Sequence, residues 1–389
     1  MKPSAETVLR SAKAPTGIEG LDDILRGGLP RGRTTLVVGS PGSGKTVLAL
    51  ETLVHGARRE REPGIFVAFE ESAGRIVANA STFGWDLPGL QRRNLFFLDA
   101  RPGPDLVASG QFELHGLLAS LGSKVRQMRA RRIVFDSLDV LLALLSDPES
   151  ARREMERLHE WLLAQKLTAI ITAKTSDADV DPEAPGGYIH PFAYLVDCAI
   201  TLRHALVSGV SQRRLRILKY RGSGFSENEA PLVISDTGLE VAGDRLPAEG
   251  TPASQRRVSS GVARLDVMLR GGYLRGASVL VTGSPGTAKT TLGGSFAEAA
   301  CRRGERVLFV TFDSQASEVV RNLASVGIRL DAPAVRPRIS FLTSRSSACS
   351  AESHLLRIKA AARRHRARCV VIDPVSALAK RGNEQTAHH

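Results

Sequence analysis

Aromatic residues are scarce in this 389-residue chain, at 5% of the total, and only two are tryptophan. Trp85 and Trp161 are both flanked by helix-like sequence, so they are expected in cores and not on a base-stacking platform of the kind that grips single-stranded nucleic acid. Cysteine is also rare. Cys198, Cys301, Cys349 and Cys369 share no CxxC or other metal-ligand spacing, which argues against a disulfide framework or a zinc site and for buried reduced thiols. No apolar run reaches the roughly 18 residues of a membrane-spanning helix, and the opening MKPSAETVLRSAK lacks the apolar core of a signal peptide. The expectation is a chain with no membrane contact, located in the cytoplasm.

What remains is ordinary globular usage: 42% hydrophobic and 24% charged residues, with 36 glycines and 19 prolines. At about 150 residues per domain the length suggests two or three domains. Lysine and arginine total 53 against 40 acidic residues, a net charge of +13. Such a surface attracts polyanions, nucleic acid or nucleotide alike. The arginine-rich stretches Arg131 and Arg132, Arg213 to Arg216, and Arg357 to Arg368 are dispersed, as expected of solvated faces or subunit contacts.

The chain repeats itself. TGIEGLDDILRGGLPRGRTTLVVGSPGSGKT begins at Thr16 and is answered by SGVARLDVMLRGGYLRGASVLVTGSPGTAKT from Ser260. The register continues: FVAFEESAGRIVANASTFGWDL at Phe66 matches FVTFDSQASEVVRNLASVGIRL at Phe309, and IVFDSLDVL at Ile133 matches VVIDPVSAL at Val370. Between the copies lies PAEGTPASQRR, with the proline, glycine and charge of a linker. This organisation predicts a first domain over residues 1–247, a linker over 248–257 and a second domain over 258–389. In the first repeat, short apolar runs (Thr35 to Val38, Ile65 to Phe69, Leu95 to Leu98, Ile133 to Phe135, Ala169 to Thr172) alternate with helix-length segments. The fold class is therefore α/β: two tandem domains, each a mainly parallel sheet with helices on both faces. Leu215 to Tyr220 and Leu232 to Ile234 read as a closing antiparallel hairpin at the sheet edge.

Both copies carry a phosphate-loop pattern between a strand and a helix, the context that pattern requires. In the first it comprises Gly39, Ser40, Pro41, Gly42, Ser43, Gly44, Lys45 and Thr46; in the second Gly283, Ser284, Pro285, Gly286, Thr287, Ala288, Lys289, Thr290 and Thr291. Glycines let backbone amides turn inward on phosphate at a helix N-terminus, the lysine supplies a point charge to the β and γ phosphates, and the threonine hydroxyl faces magnesium. Asp136 ends the run Ile133, Val134, Phe135, where a buried strand can deliver a carboxylate to the water shell of Mg2+; it could equally cap a helix. Glu70 and Glu71 end the preceding parallel run, on the same sheet edge as the loop. One of them can orient an attacking water, and either can instead be a cap or a solvated side chain.

Taken in order, GIEGLDDILRGGLPRG, GSPGSGKT, FVAFEES with NASTFGWDL, FDS, LRILKYRG and RVSSGVARLD resemble the double-domain RecA-type ATPases of the KaiC family, a resemblance spanning nearly the whole chain. It implies two RecA-like P-loop domains, hexameric rings with ATP between neighbouring subunits, and regulatory protein partners. It casts Lys45 and Thr46 as ATP and Mg2+ ligands, Glu70 and Glu71 as catalytic carboxylates and Asp136 as the magnesium-side aspartate. Lys219 and Arg221, in LKYRG, fall where the family reaches across to its neighbour's γ phosphate. By residue pattern alone they are one exposed face of an edge strand.

The second repeat departs from the first. Ala288 stands where the first has Gly44, and Asp313 and Ser314 replace the paired glutamates; Lys289, Thr290 and Asp373 are kept. Soon after Asp373 the sequence stops, so this domain is expected to be incomplete at its C-terminus, without counterparts of the Ala169 to Thr172 strand or of Lys219 and Arg221. Nucleotide binding with little turnover is the expectation there. The leading function is an ATP-hydrolysing hexamer that signals its nucleotide state; an autophosphorylating serine/threonine kinase of the same family and a RecA-like or RadA-like DNA-dependent ATPase are the alternatives.

Overall fold

The computed structural model describes residues 12–102, 114–143, 145, 147–175, 191–207, 209–243, 254–312, 314–345 and 349–379. The chain forms two compact units, one holding Met1–Val207 and Ser211–Arg245 and the other holding the chain from Leu246 onward. Most of the expected linker lies outside the described residues.

In the first unit a two-residue ladder, β1 (Lys13–Ala14) against β2 (Leu29–Pro30), precedes a nine-stranded sheet. Its members are β3 (Thr34–Gly39), β4 (Gly64–Ala68), β5 (Leu95–Asp99), β6 (Arg132–Asp136), β7 (Thr168–Lys174), β8 (Cys198–Val207), β9 (Val210–Tyr220), β10 (Ala230–Ser235) and β11 (Gly238–Val241). The order is β11-β10-β9-β8-β3-β7-β6-β4-β5. From β8 to β5 every pairing is parallel, as expected for the five apolar runs that became β3 to β7; β8 was not among those runs. β10 pairs antiparallel with both β9 and β11, so the expected hairpin is present and one strand longer than foreseen.

Strand residues alternate between two cores because successive side chains leave a strand on opposite faces. Val37, Phe66, Ala68, Val134 and Ile170 pack with Leu48 and Leu53 of the helix Lys45–His55. Leu36, Val38, Ile65, Val67, Ile133, Phe135 and Ile171 pack instead with Leu118, Leu121, Leu158 and Leu162 of the helices Leu114–Met128 and Pro148–Gln165. Trp85 is buried, with its indole N–H on the carbonyl of Thr237, and Trp161 packs against the second core.

One arginine, Arg132, corrects the expectation of solvated faces, and Arg213 is partly covered. Arg132 is 1% exposed: its guanidinium bonds Glu62 (2.6 Å) and the carbonyls of Pro15 (2.8 Å) and Thr52 (3.1 Å). Arg213 is drawn inward as well, donating through Nε to the carbonyl of Gly42 (3.0 Å), and burial lowers its pKa. All four cysteines are free, but only Cys198 and Cys301 are buried; Cys349 and Cys369 are partly exposed.

The second unit has a short ladder, β12 (Arg257–Val258) with β13 (Tyr273–Leu274), and a three-stranded parallel sheet, β15-β14-β16, from β14 (Val307–Phe312), β15 (Ile339–Ser344) and β16 (Cys369–Asp373). These three correspond to β4, β5 and β6. Residues 278–283, the counterpart of β3, join no sheet, and Val279, Leu280 and Val281 are exposed. The physical reason is the topology of the first unit: β3 pairs only with β7 and β8, and neither has a counterpart among the described residues of the second unit.

Candidate active site

The loop after β3 owes its path to two glycines. A Cβ at Gly39 would stand 2.3 Å from the carbonyl oxygen of Leu202, and Gly44 takes φ 105° as it caps the helix Lys45–His55. Lys45 is buried, its ammonium held by the carbonyls of Gly39 (2.7 Å) and Ser40 (3.0 Å). Burial lowers its pKa, against the opposing pull of Asp139 and Asp136. The hydroxyls of Ser40 and Ser43 are buried without a protein partner, two orphaned polar groups in a glycine-lined cradle beside a cation. That combination fits an anion with several acceptor oxygens.

Asp136 ends β6 and is held by hydroxyls from two neighbouring elements. Thr46, the first residue after the loop lysine, donates at 3.0 Å to one carboxylate oxygen and lies 3.3 Å from the other, and Thr172 of β7 donates at 2.7 Å. Thr172 also accepts from the amide of Ser137 at 2.7 Å, holding that residue at φ 61°. Burial raises the pKa of Asp136, while the two hydroxyls and Lys45 oppose the rise. The hydroxyl and carboxylate expected at the metal are thus side by side.

The two glutamates at the end of β4 part company. Glu70 turns to the ammonium of Lys174, the last residue of β7, and this bond first of all lowers its pKa. Glu71 accepts from Asn79 (3.0 Å) and pairs with Arg75 (3.3 Å), both on the helix Ala73–Ala80, as a side chain that ties a helix to the strand before it. Of the pair, only Glu70 joins the cluster with Lys45 and Asp136.

Lys219 and Arg221 lie elsewhere. β9 returns beside β8, and the amide of Arg221 donates to the carbonyl of Asp197, so the end of β9 meets the start of β8. The two side chains bond the carbonyls of Ala193 and Tyr194. Burial, then the charge of Arg221, lowers the pKa of Lys219. They occupy the amino edge of the parallel strands, and the loop occupies the carboxyl edge; the six residues of β3 separate those edges by roughly 20 Å. Within one subunit they do not reach the phosphate cradle.

In the second unit the same contacts recur in the open. Lys289 donates to the carbonyls of Gly283 (2.9 Å) and Ser284 (2.8 Å), and Thr290 to Asp373 (2.6 Å). Ala288 is left-handed at φ 62°, in the position where Gly44 takes φ 105° in the first. Thr290 is exposed, whereas Asp136 and Lys45 are buried. Asp313 lies outside the described residues; Ser314 follows β14.

Comparison with known proteins matches this arrangement to the description "ATPase: KaiC" over residues 14–245 and again over 258–389. The chain belongs to the KaiC ATPase family. It is 37% identical over 374 residues to the circadian clock protein KaiC2 of Synechocystis, an alignment covering 95% of this chain and 65% of that one. It is 36% identical to the circadian clock oscillator protein KaiC of Parathermosynechococcus lividus (96% and 69% covered) and to that of Prochlorococcus marinus (97% and 74%). The chain thus spans about two thirds of the length of these relatives, and its two repeats are tandem RecA-like KaiC ATPase domains. Among the described residues no helix is long and apolar enough to cross a membrane.

Three residues packed around this cluster were not singled out from the sequence. Thr172 and Lys174 sit in ITAK, where polar residues closing an apolar strand were the available signal. Arg213, braced on the loop, had none, because its approach depends on how β9 returns along the sheet.

Proposed function

We propose that the first unit binds Mg2+ and ATP and hydrolyses the γ phosphate, in a hexameric ring whose neighbouring subunit completes the site. The observation that carries this reading is the Thr46–Asp136–Thr172 arrangement beside the Lys45 cradle. The loop amides and Lys45 would hold the β and γ phosphates, and Glu70 would orient water for in-line attack at phosphorus. Thr46 and Asp136 would hold magnesium, which would supply neutralisation of phosphate charge. Among the described residues no cluster of three or more His, Cys, Asp or Glu suits a metal, which accords with an ion whose other ligands are phosphate and water. Lys219 and Arg221, remote from their own subunit's loop, would serve the site next door.

The second unit, by this reading, binds nucleotide and turns over little, and the nucleotide state is passed to regulatory proteins. The DNA-dependent alternative is weaker, since both tryptophans are packed. Lys45→Ala is expected to abolish hydrolysis and Lys289→Ala to leave most of it; the opposite result reverses the assignment. Subunits carrying Arg221→Ala mixed with subunits carrying Glu70→Gln are expected to recover activity at mixed interfaces, and no recovery under demonstrated subunit exchange refutes action in trans. Labelled phosphate appearing on a serine or threonine of the chain would favour the kinase alternative.

A further inference from the structure

Lys174 has no part in the scheme above, yet it is the cation that Glu70 faces. It closes β7 in register with Gly39, the first residue of the loop. Its amide donates to Asp139 (3.2 Å), which fixes the strand end, and its side chain reaches past the end of β6 to Glu70 at the end of β4. Its charge interacts with Glu70, Asp139 and Asp136, and Lys45 responds to it in turn. The five charged groups therefore share one carboxyl edge, with Lys174 on the loop side of Glu70.

We infer that Lys174 is a positioning residue for the hydrolysis proposed above, and the inference rests on that reading: its ammonium exchanges the Glu70 carboxylate for terminal phosphate oxygens, so that Glu70 is free to hold water only while a γ phosphate is present. The ion pair is exchangeable because both partners are well exposed, at 40% and 47%, and a solvated lysine–carboxylate pair contributes little. A terminal phosphate offers more negative charge and three acceptor oxygens, so it competes well for the same ammonium. With diphosphate bound, nothing draws Lys174 away and Glu70 stays occupied. The pair therefore couples discrimination of ATP from ADP to readiness of the water-orienting carboxylate.

The test uses the full chain with Lys174→Met, Lys174→Arg and Glu70→Gln, measuring ATP and ADP affinities alongside kcat and KM. Lys174→Met is expected to weaken ATP binding by about tenfold while leaving ADP affinity within about twofold, and to lower kcat. Unchanged ADP affinity also shows that the variant is folded. Lys174→Arg is expected to restore most of the loss. Glu70→Gln is expected to tighten ATP binding when Lys174 is present and to leave it unchanged in the Lys174→Met background, a coupling that a merely structural pair would not produce. An ATP-to-ADP preference within twofold of the parent in Lys174→Met, or no such coupling, overturns the inference. Failure of the hydrolysis reading looks different: the parent chain itself turns over no ATP, while the affinity preference and its coupling to Glu70 are still measured.

Discussion

Replacing Thr172 by valine removes one oxygen and keeps the shape, yet two buried bonds go with it. The hydroxyl donates to Asp136 at 2.7 Å and accepts from the amide of Ser137 at 2.7 Å, and Thr172 is 0% exposed, so water cannot take over either role. A hydrogen bond to a charged group contributes about 1.5–3 kcal/mol, and a buried N–H left unpaired costs about 1–3 kcal/mol. Since the two share one atom and are not additive, the expected loss is about 3–5 kcal/mol. Urea unfolding followed by tryptophan fluorescence isolates the effect, because the only tryptophans, Trp85 and Trp161, lie in the first unit. Thr172→Ser keeps the hydroxyl and is expected to cost about 1 kcal/mol, for the lost methyl. The pH dependence has a definite sign. Burial already holds the folded pKa of Asp136 above its ordinary 3.8, and losing the Thr172 donor raises it further. A carboxylate with a raised folded pKa penalises the native state above that value, and the penalty lifts as pH falls through it towards 3.8. The gap between parent and Thr172→Val is therefore widest near neutrality and narrows on acidification. A valine variant no less stable than the serine one, or a gap that widens in acid, would refute the reasoning.

Arg132→Met should be costly, because it removes the side-chain donor to the carbonyl of Pro15, one of two donors to that of Thr52, and one of the two arginines on Glu62, leaving Arg31 as the other; a loss of about 2–4 kcal/mol in the same urea experiment is expected, and a loss below about 1 kcal/mol would show that the arginine is dispensable. Ala288→Gly relieves a left-handed alanine at the second loop, where the penalty for a non-glycine residue is about 1–2 kcal/mol, partly offset by glycine's freedom in the unfolded chain. A net gain of up to about 1 kcal/mol is expected, read as slower amide hydrogen exchange through the helix Lys289–Arg302. Faster exchange there would contradict it.

The parallel strands were legible because each is a short apolar run ended by a polar or glycine residue, and period-two alternation sorted their side chains between two cores. The loop and Asp136 were legible for the same reason: their chemistry is tied to strand ends. Partnerships made across the sheet were not. The sequence offers no distinction between Glu70 and Glu71; their fates diverge because Arg75 and Asn79 follow Glu71 at helical spacing, while Lys174 arrives by the register of β7 against β3. Arg132 looked like part of a basic surface, and only the packing of Pro15, Thr52 and Glu62 around one guanidinium makes it interior. The failure of residues 278–283 to join a sheet followed from a different logic: a strand needs neighbours, and those neighbours are not adjacent to it in sequence.

If Lys219 and Arg221 serve a neighbour as proposed, their placement on one edge of the sheet, with the phosphate loop on the other, would give each subunit a giving side and a receiving side that are different surfaces. With those residues serving a neighbour, the contact is head-to-tail, and a two-fold pair in which each partner offers the same patch could not arise from it. An open stack of such subunits always holds one more loop than it can complete, whereas a closed ring completes all of them. Turnover per subunit would then fall on dilution well before the individual chains unfold, and a small excess of subunits lacking Arg221 would silence sites in proportion to the interfaces they enter.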